Sequence, residues 1–583
     1  MAQRARRLVL LRRSCQVLSA ALLVTIIWNT RFPLSGFINP AFYFYLDPFA
    51  MVITSIAERV LLTGLVSTAV VLALTYTIGR GFCGWLCPLG ALLDLVSWTR
   101  KGALRVLGRK VREPEPSPLR YLKYAVLAAV FAFALFGVQT AWVLDPITIF
   151  VRTFSFNVHP FVNGVLDGGL VRLLGATGYP EWLESFYDWL REWLLAFSTP
   201  EFSHAGAIFG VLAAILVLSL VRRRFWCRYL CPLGATLALP ARFSPFARNA
   251  DRCTTNCGVC KNVCRMNAIR EDNSYVREEC ILCLDCMAEC PGDKTTFSFI
   301  KPGVRLTSRA IEGGQSTDRS DIHTAVRTSS QGIVIASGQG SEPLHWSHPC
   351  PGVRASLHCP EQPPFPGKKP VLTRLQFITA SLGAIVIASG SLPAAPAPKK
   401  GRPGTASGLR PPGALPEREF IQRCIRCGNC MKVCPTNLLQ PSSFASGPGG
   451  TWSPVLDTRR GYCEYECNLC GQVCPTDAIR KLSLKQKQAF VIGTAVFNKK
   501  ICIPYARGEN CLVCEEHCPV PDKAIRVNRA FVKGKSVMQP YVVKDLCIGC
   551  AICELKCPTA PDKGVVVKKT ADAQSARGIK PAS

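Results

Sequence analysis

Cys547-Ile548-Gly549-Cys550-Ala551-Ile552-Cys553-Glu554-Leu555-Lys556-Cys557-Pro558 spaces four cysteines as C-x2-C-x2-C-x3-C and closes them with proline. Outward from it, related tetrads occur at Cys424, Cys427, Cys430 and Cys434; at Cys463, Cys467, Cys470 and Cys474; and at Cys502, Cys511, Cys514 and Cys518. Two more stand upstream, at Cys253, Cys257, Cys260 and Cys264 and at Cys280, Cys283, Cys286 and Cys290. Thirty-one cysteines in a short secreted chain would read as disulfides, but tight tetrads in 583 residues read as metal ligands. Zinc knuckles separate their cysteine pairs by a dozen residues or more, whereas these tetrads are compact. In such a loop three thiolates wrap one 4Fe-4S cubane and the fourth ligates the neighbouring cluster of a pair. Six tetrads therefore predict six 4Fe-4S clusters in three pairs. Adjacent pairing and first-with-fourth nesting are both open.

Ala478-Ile479-Arg480 and Ala524-Ile525-Arg526 follow their tetrads as a short helix and strand should, giving α+β ferredoxin-like domains. Cys264 departs from the pattern, being followed by Arg265, and Cys502 stands nine positions before Cys511. The last four tetrads begin at 424, 463, 502 and 547, a spacing that suggests duplication.

Ahead of the tetrads the chain turns apolar. Segments 14–30, 60–78, 122–138 and 205–221 predict an α-helical membrane domain of four transmembrane helices in two repeats, with Leu375 to Leu392 a candidate fifth. The repeat is visible as Tyr45-Leu46-Asp47-Pro48 followed by Cys83-Gly84-Trp85-Leu86-Cys87-Pro88, then Val143-Leu144-Asp145-Pro146 followed by Cys227-Arg228-Tyr229-Leu230-Cys231-Pro232. Arg100, Lys101, Arg105, Arg109 and Lys110, with Arg222, Arg223 and Arg224, put the cysteine-pair side in the cytoplasm. The net charge of +30 thus belongs largely to membrane orientation, and no nucleic-acid partner is expected. The domains are a membrane domain 1–250, a cytoplasmic two-cluster ferredoxin 251–300, a Ser/Gly/Pro-rich linker 301–371 holding Cys350 and Cys359, and an apolar anchor or export segment 372–393. A Pro-rich tether 394–418 and a four-cluster polyferredoxin 419–570 complete the chain.

Cys83 and Cys87, like Cys227 and Cys231, have the i,i+4 spacing that puts both thiols on one helix face. Together they supply four ligands for a seventh cluster, a redox or docking dithiol, or structure alone. Asp47 and Asp145 read as N-caps ahead of proline. The functional alternative makes one of them, with Glu58 or His159, the proton acceptor for quinol oxidised near the outer face. Trp182, Phe186, Trp189, Trp193 and Phe197 recur at helical spacing, predicting an amphipathic helix for interfacial anchoring or partner docking. No C-x-x-C-H occurs, so haem is not expected; nor is there a P-loop or dinucleotide fingerprint.

Residues 1 to about 300 resemble the NapH-type membrane quinol dehydrogenase subunit on their two C-x3-C-P motifs and paired tetrads. Residues about 409 to 570 resemble the NapG/MauM-type polyferredoxins, on Arg410-Pro411-Pro412-Gly413-Ala414-Leu415-Pro416 and Cys424-Ile425-Arg426-Cys427-Gly428. That family is usually exported on a twin-arginine signal; Thr373-Arg374-Leu375 here has one arginine. The resemblance implies electron transfer from the quinone pool through the clusters to a reductase or cytochrome acceptor. It also implies residence in the bacterial inner membrane, with the polyferredoxin periplasmic. The alternative from another class is an assembly, maturation or regulatory factor for a metalloenzyme.

Overall fold

A carboxylate followed by proline starts a helix in each repeat, because the side chain accepts from free N–H groups of the first turn and proline needs no partner there. The computed structural model describes residues 2–34, 38–106, 118–193, 200–250, 253, 257–270, 273–292, 294–299, 408–443, 448–569 and 575–576. The linker, the apolar segment 372–393, Cys350 and Cys359 lie outside the described residues.

Helix α1 (Ala2–Trp28) leads into the first repeat: α2 (Phe42–Tyr45), α3 (Pro48–Glu58), α4 (Leu65–Ile78), α5 (Gly81–Trp85) and α6 (Pro88–Val106). Helix α7 (Leu122–Leu135) leads into the second, α8 (Ala141–Leu144) and α9 (Pro146–Thr153). An insertion follows, α10 (His159–Thr177) and α11 (Glu181–Trp193), before α12 (Ala205–Val221), α13 (Phe225–Tyr229) and α14 (Pro232–Ala241) complete it. Helix α11 is the amphipathic element expected, and it exposes Trp182, Phe186 and Trp189.

The expectation of four membrane-length helices is corrected. Among the described residues one helix, Gln3–Trp28, is long and apolar enough to cross a bilayer. Helices α4 and α7 have 14 residues each, and α12 has 17. At 1.5 Å per residue, 14 residues reach about 21 Å, short of a ~30 Å hydrocarbon core. Glycines cut the runs that hydropathy joins: α4 follows Gly64 and stops at Gly79 (φ +100°), and the run containing α7 ends at Gly137 (φ +76°).

Strands β1 (Phe246–Asn249) and β2 (Thr296–Phe299) pair antiparallel around the tetrads between them, so this ferredoxin begins at 246 rather than 251. The C-terminal part contains β3 (Leu439–Pro441), β4 (Pro454–Leu456), β5 (Phe490–Val491), β6 (Thr494–Phe497), β7 (Ile525–Val532), β8 (Lys535–Val542), β9 (Val565–Lys568) and β10 (Ser575–Ala576). Pair β3–β4 belongs to the first two tetrads. Around the last two, β5–β10 and β6–β9 enclose the β7–β8 hairpin. The expected tether also ends earlier. Arg410 is fully buried, paired to Glu417 at 2.5 Å and donating to Ser453 Oγ and the Pro454 carbonyl at 2.8 Å.

The two ferredoxin regions dock at opposite ends of the helical body. The 246–299 module sits on the cysteine-pair end: Arg80 donates to the Glu278 carbonyl (2.6 Å), Trp85 Nε1 to that of Leu282 (3.0 Å), and Lys123 Nζ meets both Glu279 oxygens at 2.6 Å. The polyferredoxin sits on the Asp-Pro end, where Arg423 pairs with Glu58 and Gln440 Oε1 accepts from Ser203 N (3.0 Å). Glu279→Ala leaves Lys123 and Arg80 buried without their carboxylate, a loss of ~3–5 kcal/mol for a broken buried pair. Limited proteolysis of the anaerobic protein should then release residues 246–299 first; wild-type resistance would contradict this docking.

Candidate functional site

Four of the six ferredoxin loops turn their cysteines inward through left-handed backbone followed by a short helix: Gly258 (φ +64°), Leu284 (φ +62°), Gly428 (φ +90°) and Ala551 (φ +67°) precede theirs. Among the described residues three voids are lined by these cysteines. Cys280, Cys283 and Cys286 share one with Cys264 of the preceding tetrad. Cys502, Cys511 and Cys514 share the next with Cys557, and Cys547, Cys550 and Cys553 share the third with Cys518. The same exchange holds between the first two polyferredoxin tetrads. Cys474 acts electrostatically on Cys427 and Cys430, and Cys434 on Cys467 and Cys470. Cys253, Cys257 and Cys260 likewise cluster. Pairing is therefore between neighbouring tetrads, and nesting is excluded. Among the described residues no three His, Cys, Asp or Glu side chains converge as a single metal ion requires. Four thiols spread around a void suit a cubane, which carries one thiolate on each of four irons.

The inner cysteine pairs also meet. Cys231 lies within electrostatic reach of Cys227, Cys83 and Cys87. Cys83, Cys87 and Cys231 are buried. Cys231 caps α14, its sulfur accepting from Gly234 N at 3.2 Å. The two repeats exchange arginines here. Arg80 precedes the first pair but lies against Gly234 of the second, where an added Cβ would come within 2.9 Å of its Nη2. Arg224 precedes the second pair and donates to the Gly90 carbonyl of the first at 3.2 Å. Both guanidiniums are buried. Asp94 fastens this arrangement, bound by Arg224 and Arg265 at 2.7 Å each, with Arg12 at 3.7 Å. Burial alone would push its carboxyl up; Arg224, Arg265 and Arg12 hold it well below the usual range. The donor set fits an iron-sulfur group: four sulfurs within electrostatic reach of one another, close backbone, and buried cations opposite the charge that thiolates bring.

At the other end Asp47 and Asp145 act as the N-caps expected. Asp47 Oδ1 accepts from Phe49 N (3.0 Å) and Ala50 N (3.2 Å), and Asp145 Oδ2 from Thr148 N (2.6 Å). Their other oxygens, Asp47 Oδ2 and Asp145 Oδ1, have no hydrogen-bond partner among the described residues; the two carboxyls act electrostatically on each other across the repeats, and both residues are 0% exposed. Burial, then the facing Asp145, raises Asp47 well above the ordinary carboxyl range, so the pair keeps a proton. Both carboxyls are sealed from solvent. The other two residues in the proton-acceptor expectation are engaged elsewhere. Glu58 is paired with Arg423, and His159 is buried edge-on against Trp28 at 4.6 Å. A π-helical turn at Phe154–Val158 aims Phe156 at Gly428, where an added Cβ would meet its ring at 2.7 Å. Arg152 lies between Trp142 and Trp452, 5.6 and 4.6 Å from their centroids, and Arg426 over Trp142 at 4.3 Å.

Comparison with known proteins finds a 4Fe-4S binding domain over residues 60–112 and 204–250, the segments that hold the inner cysteine pairs. A 4Fe-4S dicluster domain matches 423–478, and a family described as NosR matches 251–300. The methylamine utilization ferredoxin-type protein MauM of Paracoccus denitrificans is 30% identical over 193 residues, 33% of this chain and 85% of the relative. The chain belongs to the MauM family of ferredoxin-type proteins. The ferredoxin-type protein NapG of Escherichia coli is 36% identical over 26% of the chain and 65% of its own length. Regulatory protein NosR of Pseudomonas aeruginosa is 31% identical over 36% of the chain, which spans about a quarter (23%) of NosR. MauM-type similarity agrees with the polyferredoxin expectation, but the NapH-type assignment of the first half is not shown; its ferredoxin matches NosR. No solved structure matches.

Sequence reasoning missed Asp94 and the paired arginines, although Arg80-Gly81-Phe82-Cys83 and Arg224-Phe225-Trp226-Cys227 repeat the same R-x-x-C phrase. It also missed the Cys-Pro-Thr phrase, which sets Thr436 Oγ1 3.6 Å from Cys434 Sγ and Thr559 Oγ1 3.2 Å from Cys557 Sγ. Such contacts to ligand sulfur tune cluster potential.

The exchanged fourth cysteine makes a non-additive prediction. Cys502→Ser, Cys557→Ser and the double variant should each lose the same ~4 irons, whereas Cys518→Ser with Cys557→Ser should lose ~8. Iron analysis with EPR decides, and additive loss in the first double variant would refute the pairing. For the carboxyl pair, Asp47→Asn keeps the cap and gives Asp145 a donor, so it should fold normally. Asp47→Ala removes the cap, costing ~1–2 kcal/mol; equal thermal stability of the two variants would contradict the capping geometry.

Proposed function

We propose that this chain is a membrane-bound electron conduit, carrying electrons from quinol through 4Fe-4S clusters to a reductase or cytochrome partner. The observation that carries this reading is the placement of cysteine quartets at both ends of one helical body, with the inner pairs converging between the repeats. Cys253, Cys257, Cys260 with Cys290, and Cys280, Cys283, Cys286 with Cys264, hold one pair of clusters. The twelve ligands from Cys424 to Cys518, with Cys547, Cys550, Cys553 and Cys557, hold two pairs more. Cys83, Cys87, Cys227 and Cys231 hold a seventh cluster, with Arg80 and Arg224 offsetting its charge. The bound clusters supply one-electron transfer. The chain's residues hold them, exclude water and set the surrounding charge.

Exposed Val66, Leu74, Phe133, Leu135, Val217 and Leu220 give the helical body an apolar exterior suited to the inner membrane, despite its short helices. In this reading the 246–299 ferredoxin is cytoplasmic and the polyferredoxin periplasmic. Asp47 and Asp145 hold a proton beside the docked polyferredoxin without touching quinol. The relationship to regulatory protein NosR favours a second reading, in which the same wire serves the maturation or regulation of a metalloenzyme.

Anaerobically purified protein should contain ~24 iron atoms and as many acid-labile sulfides, or ~28 with the inner cluster. Cys83→Ser should remove ~4 of them, and unchanged iron would refute the inner cluster. Decylubiquinol should bleach the cluster absorbance within turnover time. A chain loaded with iron but inert to ubiquinol and menaquinol analogues, and needed only while a partner enzyme is assembled, would favour the second reading and overturn the first.

A further inference from the structure

The cytoplasmic-end ferredoxin does not close fully against the helices. Between its 282–297 face, the start of α1 and the α4–α5 turn lies a cavity of about 710 Å³, lined mainly by apolar groups. Leu8, Trp85 and Leu282 form its walls, Arg4 stands on its rim, and Leu284 and Phe297 form the floor. Leu284 and Phe297 also line the void shared by Cys264, Cys280, Cys283 and Cys286. A molecule in the cavity is thus one side-chain layer from that cysteine quartet. Gly84, between the inner cysteines Cys83 and Cys87, faces the same ferredoxin loop so closely that a Cβ would come within 2.1 Å of the Ile281 carbonyl. The cavity therefore lies beside the inner cysteine pairs as well as the quartet of Cys264, Cys280, Cys283 and Cys286.

Volume, lining and location specify the occupant. Small-molecule sites measure roughly 300–1,000 Å³ and combine apolar walls with a few polar groups. The cavity opens beside the first turns of α1, the one membrane-length helix among the described residues, within reach of lipid-dissolved molecules. Arg4 offers guanidinium donors to an oxygen-bearing head group, while the walls accept a flat ring and the start of an apolar tail.

We propose that this cavity is the binding site for a quinone-class carrier, resting on the quinol reading above and moving its site to the cytoplasmic end from the outer face where sequence placed it. A bound quinol that becomes quinone releases two electrons and two protons. The electrons pass one to each of the two clusters held by the 246–299 ferredoxin, and the protons leave to water past the exposed Arg4 and Thr296.

The test uses the full-length chain in nanodiscs, photolabelled with an azidoquinone and competed with decylubiquinone. Label is expected on peptides containing Arg4 to Leu8 and Leu282 to Phe297. Leu8→Trp, which fills the cavity, and Thr296→Trp, which obstructs its rim, should each cut labelling about tenfold or more at unchanged iron content. Leu10→Trp, on the exposed side of α1, should leave it unchanged. Label elsewhere, or undiminished label in both filled variants with intact iron, overturns the site. If decylubiquinol reduces wild type and both variants alike, the conduit reading stands and this site falls. If the cavity labels as expected but no quinol reduces the clusters, the binding site stands and the conduit reading falls.

Discussion

Thiolates gathered around one void repel one another, and burying them raises the cost further unless a cation stands among them. Every part of this structure answers to that constraint. The ferredoxin modules have only two-stranded sheets and helices of one turn or so, too little apolar core to order so many loops unaided. Iron can supply what the core lacks, because a metal group bound only by the folded chain adds its binding free energy to folding. The exchange of the fourth cysteine between neighbouring tetrads makes each pair of loops one cooperative unit.

The inner quartet meets the same constraint with protein charge as well. Arg80 and Arg224 cross from one repeat to the other, so neither repeat completes its site alone. Gly90 and Gly234 lie against that crossing because a side chain there would collide with the Cys83 carbonyl or the Arg80 guanidinium. Asp94 then joins α1, α6, the Arg224 turn and the ferredoxin's Arg265 through one carboxylate. Electrostatics near the cysteines and docking of the ferredoxin are consequently the same interaction. At the opposite end Trp142, Arg152 and Arg426 dock the polyferredoxin over the carboxyl pair, so each end couples a cysteine quartet to buried charge.

Much of this was legible in the chain. The tetrads, the repeat around Asp47-Pro48 and Asp145-Pro146, and the amphipathic helix are local patterns, and local spacing fixes them. Tetrad pairing was not, since it depends on which loop a fourth cysteine reaches across space. Helix length was misread because the apolar runs 60–78 and 122–138 pass through Gly64, where α4 begins, and Gly137, beyond the end of α7. The proline-rich stretch before Pro416 looked like a tether, yet Arg410 is buried by contacts to residues some 40 positions later. Asp94 had no local signal at all; its meaning comes from arginines at 12, 224 and 265.

The account's central claim is that the two ferredoxin regions face opposite sides of a membrane. Protease treatment of intact spheroplasts, followed by immunodetection of each region, tests it most directly. The account predicts cleavage within residues 409–569 in intact spheroplasts and of residues 246–299 only after lysis. Protection of both regions until lysis would contradict it, placing all the clusters on the cytoplasmic side.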